Sequence, residues 1–188
     1  MSDNINEADD KIDSDLSKHG VYYLSGELDE HNTGDCIKWI LHSNMFPKLE
    51  YLTIIVNSFG GQLFDAFGLI DFMKMSKIPV RTIGTGNVMS AALLILASGQ
   101  KGHRHITQST TVMSHQFSSG TEGKQHELLA SLKDIKMIQK KMEQNLVEAT
   151  GLELKVVRKK LLPPSDVWLS VEETLQYKLC DNIIEEII

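Results

Sequence analysis

Three side chains in this sequence have the chemical types that acyl transfer needs: Ser90, His115 and Asp166. A serine hydroxyl attacks a carbonyl efficiently when a neutral imidazole takes its proton. A carboxylate then orients that imidazole and stabilises the cation it becomes. Each of the three falls at an element end. Ser90 follows the β-branched, glycine-broken run that starts at Thr82, and it opens the apolar run Ala91–Ala97. That order predicts a strand, a glycine turn and a buried helix, with the serine at the helix start. A hydroxyl there sits among unpaired backbone N–H groups at the positive end of the helix. A nucleophile and its oxyanion site can be built together at such a place. His115 ends a short strand, and Asp166 follows Pro163-Pro164-Ser165. Taken singly, each has a plainer reading: a helix N-cap, a surface histidine, a turn aspartate. Spacing along the chain does not make the three meet; a fold has to.

The elements around them read as an α/β chain. Val21–Leu24 is a strand by β-propensity. Asp29 caps a helix reaching about Asn44, with Ile37, Ile40 and Leu41 as its core stripe. Leu52–Val56 is a wholly apolar strand of the kind buried on both faces. The small residues Asn57-Ser58-Phe59-Gly60-Gly61 read as a turn, and a helix from Leu63 to Met75 points Phe64, Phe67, Ile70 and Met73 inward. Pro79 opens the strand that leads to Ser90. Strand and helix thus alternate three times before residue 100, the pattern of stacked βαβ units on a mainly parallel sheet. The Gly60-Gly61 turn follows the strand next to the one leading to Ser90, so its N–H groups can meet those near the serine.

Gly102–Ile106 and Thr111–Ser114 read as two short strands. His103 and His105 form an H-x-H pair without a third ligand at a diagnostic spacing, so no metal site is read. A long helix spans about 122–150, its stripe being Leu128, Leu132, Ile135, Ile138, Met142 and Leu146, and Gly151 stops it. At ~1.5 Å per residue it exceeds what one compact domain of this size needs. Part of its apolar face is therefore expected to bury against another subunit. Leu154–Leu161 is a short helix, Ser170 and Glu173 form a capping box for the last helix, and Asn182–Ile188 is a terminal strand.

Composition sets the class. The chain has 188 residues, 41% of them hydrophobic and 23% charged, which suits a single globular domain. Residues 1–17 read as a mobile acidic segment and 18–188 as the domain. A formal net charge of −6 argues against nucleic acid. The longest apolar run is too short to span a membrane. Cys36 and Cys180 lie far apart and read as reduced thiols. The polar, acidic start is not a targeting peptide by pattern, so the expected location is cytoplasmic.

Four segments, in order, resemble one family. Val56-Asn57-Ser58-Phe59-Gly60-Gly61 is similar to the I-N-S-P-G-G turn of the ClpP endopeptidases, the peptidase component of ATP-dependent Clp proteases. Gly86-Asn87-Val88-Met89-Ser90-Ala91 resembles their G-Q-A-A-S-M nucleophile turn. Met113-Ser114-His115-Gln116-Phe117 resembles M-I-H-Q-P, and Asp166-Val167-Trp168-Leu169-Ser170 resembles D-x-F-L/M-S. The resemblance runs from about Val21 to the C-terminus.

It implies a ClpP/crotonase-like fold, with the long helix as a protruding "handle". It implies Ser90 as nucleophile, His115 as general base and Asp166 as the residue that orients it. The backbone N–H groups of Gly61 and Ala91 would form the oxyanion hole. Substrate would lie as an added strand beside Phe59, Gly60, Gln116 and Phe117. The family forms heptameric rings, stacked in pairs, that enclose the active sites and degrade unfolded polypeptides supplied by an AAA+ unfoldase. No cofactor is implied, ATP being used only by that partner. Phe59 and Phe117 stand where the pattern has prolines, which implies a changed side-chain preference. Leu161–Ser165, LLPPS, stands where the family carries a charged stretch with an arginine. Two other readings exist. One is a non-catalytic ring subunit or assembly partner, against which the retained triad argues. The other is an acyl-CoA enzyme of the same fold class, for which no basic pocket for CoA is evident.

Overall fold

A computed structural model describes residues 11–45 and 48–186. Strands β1 (Val21–Leu28), β2 (Leu52–Gly61) and β3 (Val80–Met89) lie side by side and parallel. Parallel neighbours need long crossovers. Here these are helices α2 (Glu30–Met45) and α3 (Leu63–Met75). β4 (Arg104–Thr107) and β7 (Asn182–Ile184) extend the sheet in the order β1-β2-β3-β4-β7. β5 (Thr111–Ser114) pairs in parallel with the far end of β3, and β6 (Val167–Leu169) pairs antiparallel with β5. Four more helices complete the described chain after β3: α4 (Ala91–Ala97), α5 (Gln125–Thr150), α6 (Leu154–Lys160) and α7 (Val171–Gln176). This is the expected α/β architecture of stacked βαβ units with one long helix.

α4 shows where the core sits. All seven of its residues are buried, as a helix apolar on every side must be. It packs on β2 and β3 from one face and on α3 and α5 from the other. The short capping signals hold too. Ser170 Oγ accepts from the Glu173 N–H at 3.1 Å, and Glu173 Oε2 accepts from the Ser170 N–H at 2.9 Å. Gly151 closes α5 at φ 69°, its N–H reaching the Val147 carbonyl.

Several local expectations are corrected. Residues 57–61 are the extended end of β2, because Gly60 and Gly61 pair with Glu27 and Leu28 of β1. The core stripe of α2 is Cys36, Trp39 and Ile40, while Leu41 points outward. In α3, Ile70 and Met73 are buried, with Ala66 and Leu69, but Phe64 is 57% exposed. Residues 11–18 form a helix, α1, where the sequence reads as structureless; an Asp15–Lys18 ion pair at 2.9 Å lies along it. The rest of the acidic segment, residues 1–10, lies outside the described residues, as do 187–188 of the expected terminal strand.

Candidate active site

The site is assembled by strand register. β5 and β6 pair Val112 with Leu169, Met113 with Trp168 and Ser114 with Val167. One further step of the same ladder sets His115 opposite Asp166, so the antiparallel pairing itself brings the two together. His115 Nδ1 lies 3.4 Å from Asp166 Oδ1. Two side chains fasten the two segments together. Ser114 Oγ donates to the Leu161 carbonyl at 2.6 Å, and Gln116 Nε2 donates to the Leu162 carbonyl at 2.9 Å.

Ser90 reaches the same point from β3. Met89 is in register with Met113, and the Ser90 N–H donates to the Met113 carbonyl at 2.9 Å. Ser90 Oγ then lies 2.7 Å from His115 Nε2. The serine backbone is at φ 54°, ψ −124°, a conformation that a residue with a side chain rarely adopts. It turns the chain sharply from strand into helix and leaves the hydroxyl at the tip of the turn. Such strain, of about 1–3 kcal/mol, persists only when the surroundings hold it.

The surroundings are the ends of β1 and β2. Gly60 has φ 98°, and a methyl group on it would lie 2.8 Å from Ser90 Cβ and 3.2 Å from the Ala91 nitrogen. Glycine is thus what lets β2 press against the serine turn. Gly61 lies against β1, where any side chain would collide with Leu28. Asn57 and Ser58, which read from sequence as turn residues only, hold this corner. Asn57 Oδ1 accepts from the Asn87 N–H at 3.0 Å, spanning the two-residue bulge that carries Gly86. Ser58 Oγ accepts from the Gly60 N–H at 3.0 Å and donates to the Gly26 carbonyl. The only sequence signal for these roles is the small polar pair ahead of Gly60-Gly61.

A cleft of about 370 Å³ opens beside Ser90 and His115. Gly61, Phe117 and the outward-facing Phe64 line it, as does Asp134 from α5. Phe59 does not line it and is 66% exposed. Gln116 faces a neighbouring hollow with Leu162 and Arg158. The site is open: the Asp166 side chain is 58% exposed, against 24% for His115. His103 and His105 lie apart from it, His103 sharing a 3.3 Å hydrogen bond with the Tyr51 hydroxyl. Among the described residues, no group of three or more His, Cys, Asp or Glu side chains is placed to hold a metal. Both cysteines are free and buried, and burial pushes the Cys180 thiol up to about 12.

The fold agrees with a comparison over nearly the whole sequence. A family pattern described as Clp protease matches residues 4–187. This covers nearly all of the 188 residues, beyond the four short motifs, and by it the chain belongs to the Clp protease family.

Proposed function

We propose that this chain is a serine endopeptidase subunit that cleaves unfolded polypeptides inside a ring assembly. The observation that carries the reading is the 2.7 Å contact between Ser90 Oγ and His115 Nε2 on a positive-φ strand-to-helix turn. Ser90 Oγ–H gives its proton to His115 Nε2 as the oxygen attacks the peptide carbonyl. Asp166 accepts from His115 Nδ1–H, keeping Nε2 free to act and stabilising the imidazolium. The oxyanion is received by the backbone N–H groups of Ala91, at the start of α4, and Gly61. His115 then donates the proton to the leaving amine. Water, deprotonated by the same imidazole, releases the acyl group from Ser90.

The substrate runs as an extended strand between the end of β2 and the segment that follows His115. Phe117 and Gly60 border that path directly. Gln116 acts by fastening its segment, and Phe59 reaches only a longer substrate. The exposed apolar positions of α5 support assembly into heptameric rings, stacked in pairs, with an AAA+ unfoldase as the supplier of substrate. No cofactor takes part on this chain. Among the described residues no helix is long and apolar enough to cross a membrane.

A fluorophosphonate serine-hydrolase probe, applied across size-exclusion fractions, tests the proposal. Labelling of a large particle, lost in Ser90→Ala, is the expected result. A large particle that never labels identifies a non-catalytic ring subunit instead.

A further inference from the structure

The cleft beside Ser90 is chemically uneven. Leu63 and Phe64 from the start of α3, Phe117 after the histidine and Ile138 from α5 give it apolar walls, to which Gln62, Ser118 and Ser119 add neutral polar groups. One carboxylate, Asp134, stands among them, and no lysine or arginine lines the cleft. Asp134 forms no side-chain hydrogen bond or ion pair with any described residue. Glu143 and Arg158, in the adjoining hollow, hold each other through two 2.8 Å hydrogen bonds.

A cation on an apolar stem satisfies all of these features at once. Methylene groups cover the walls, and the charged end reaches Asp134. The faces of Phe64 and Phe117 also attract a cation more than a neutral group. A glutamate or aspartate side chain in the same place meets an unpaired like charge. We infer that the cleft selects polypeptides with lysine or arginine beside the scissile bond, and that Asp134 is the selecting residue. This inference rests on the reading of Ser90 and His115 as the reacting pair for what counts as the scissile bond. The binding preference itself does not depend on turnover.

Asp134 is solvent-exposed, so its pull on a cation is modest and screened by salt. Attraction of lysine and repulsion of glutamate add, giving about a tenfold difference in affinity between the two at low ionic strength. The test uses the intact protein carrying Ser90→Ala, so that peptides bind without being cut. Fluorescein-labelled alanine hexapeptides with lysine, glutamine or glutamate at the two central positions are titrated by fluorescence anisotropy. Lysine peptides should bind about tenfold more tightly than glutamate peptides, with glutamine between and the spread closing in 0.5 M salt. Adding Asp134→Asn should level the three, and Asp134→Lys should reverse their order. Equal affinities, or a lysine preference that survives Asp134→Asn, overturn the inference. Fluorophosphonate labelling of the wild-type protein keeps the two ideas apart. Labelling without a lysine preference leaves the peptidase and removes the selection. A lysine preference without labelling leaves the selection and removes the peptidase.

Discussion

The three side chains of the proposed triad are held with unequal force. Ser90 and His115 are in firm contact, whereas Asp166 is 3.4 Å from the imidazole and more than half exposed. Water competes for an exposed carboxylate, so Asp166 orients His115 less strictly than a buried one would. Loss of Ser90 or His115 should therefore lower kcat by about 10⁴–10⁶-fold, while Asp166→Asn should cost only about 10²–10³-fold. Steady-state hydrolysis of a fluorogenic peptide checks the ranking; an Asp166→Asn loss equal to that of His115→Ala refutes it. Gly60 gives a second measurement at this scale. Gly60→Ala adds a methyl group 2.8 Å from Ser90 Cβ at a φ that alanine resists. It should cost about 1–3 kcal/mol of stability and reduce peptidase activity at least tenfold. Denaturation and kinetics on one preparation check both, and activity retained despite the methyl group shows that β2 does not support the serine turn.

Between elements, Arg104 is the main fastening outside the site. It is 3% exposed at the start of β4. Its guanidinium donates to the Ala97 carbonyl of α4, to the Ala149 carbonyl of α5 and twice to Asp181, just before β7. Burial pushes Asp181 towards the neutral form, but the hydrogen bonds and charge of Arg104 outweigh it, so the carboxyl titrates below its ordinary range. A lowered folded pKa stabilises the fold above the unfolded carboxylate value of about 3.9. That contribution drains away as pH falls through the lower, folded value. Arg104→Met strands Asp181 and two carbonyls, and should cost about 3 kcal/mol at neutral pH. It should also flatten the acid decline in stability relative to wild type, as urea titrations between pH 7 and 3 would show; parallel declines would mean that the pair is not linked to folding.

How much of this was legible in sequence depended on range. α4, α5 and the capping box of α7 follow from local pattern, and the serine turn follows from its glycines. Arg104 was not legible, because its partner Asp181 is 77 residues away and nothing local marks a buried cation. Phe64 reads as a core residue because α3 is apolar around most of its girth, so periodicity picks no single face. Asn57 and Ser58 read as turn formers because their partners, Asn87 and Gly26, belong to other strands.

At the scale of the whole molecule, α5 divides into two halves. From Ile138 onward it buries Met142, Leu146 and Ala149 in the core. From Gln125 to Met137 it buries no side chain, yet it carries Leu128, Leu129, Leu132 and Met137 at 36–61% exposure. The helix has 26 residues, a length of about 39 Å, so its first half extends well beyond the packed second half. A half-helix with unburied leucines is weakly stable by itself and is a surface that seeks a partner. In the proposed assembly that partner is the same helix of the facing ring. Leu132→Asp places a charge in the middle of this surface without touching the core of its own domain. Native mass spectrometry should then find single rings or smaller species where the wild type forms double rings, with the thermal unfolding of the individual subunit unchanged. A double ring that survives Leu132→Asp assigns ring stacking to some other surface. In that proposal assembly and chemistry are linked through this one helix, since its second half carries Ile138 into the cleft beside Ser90. Fluorophosphonate labelling of Ser90 should therefore fall in the particles that Leu132→Asp splits.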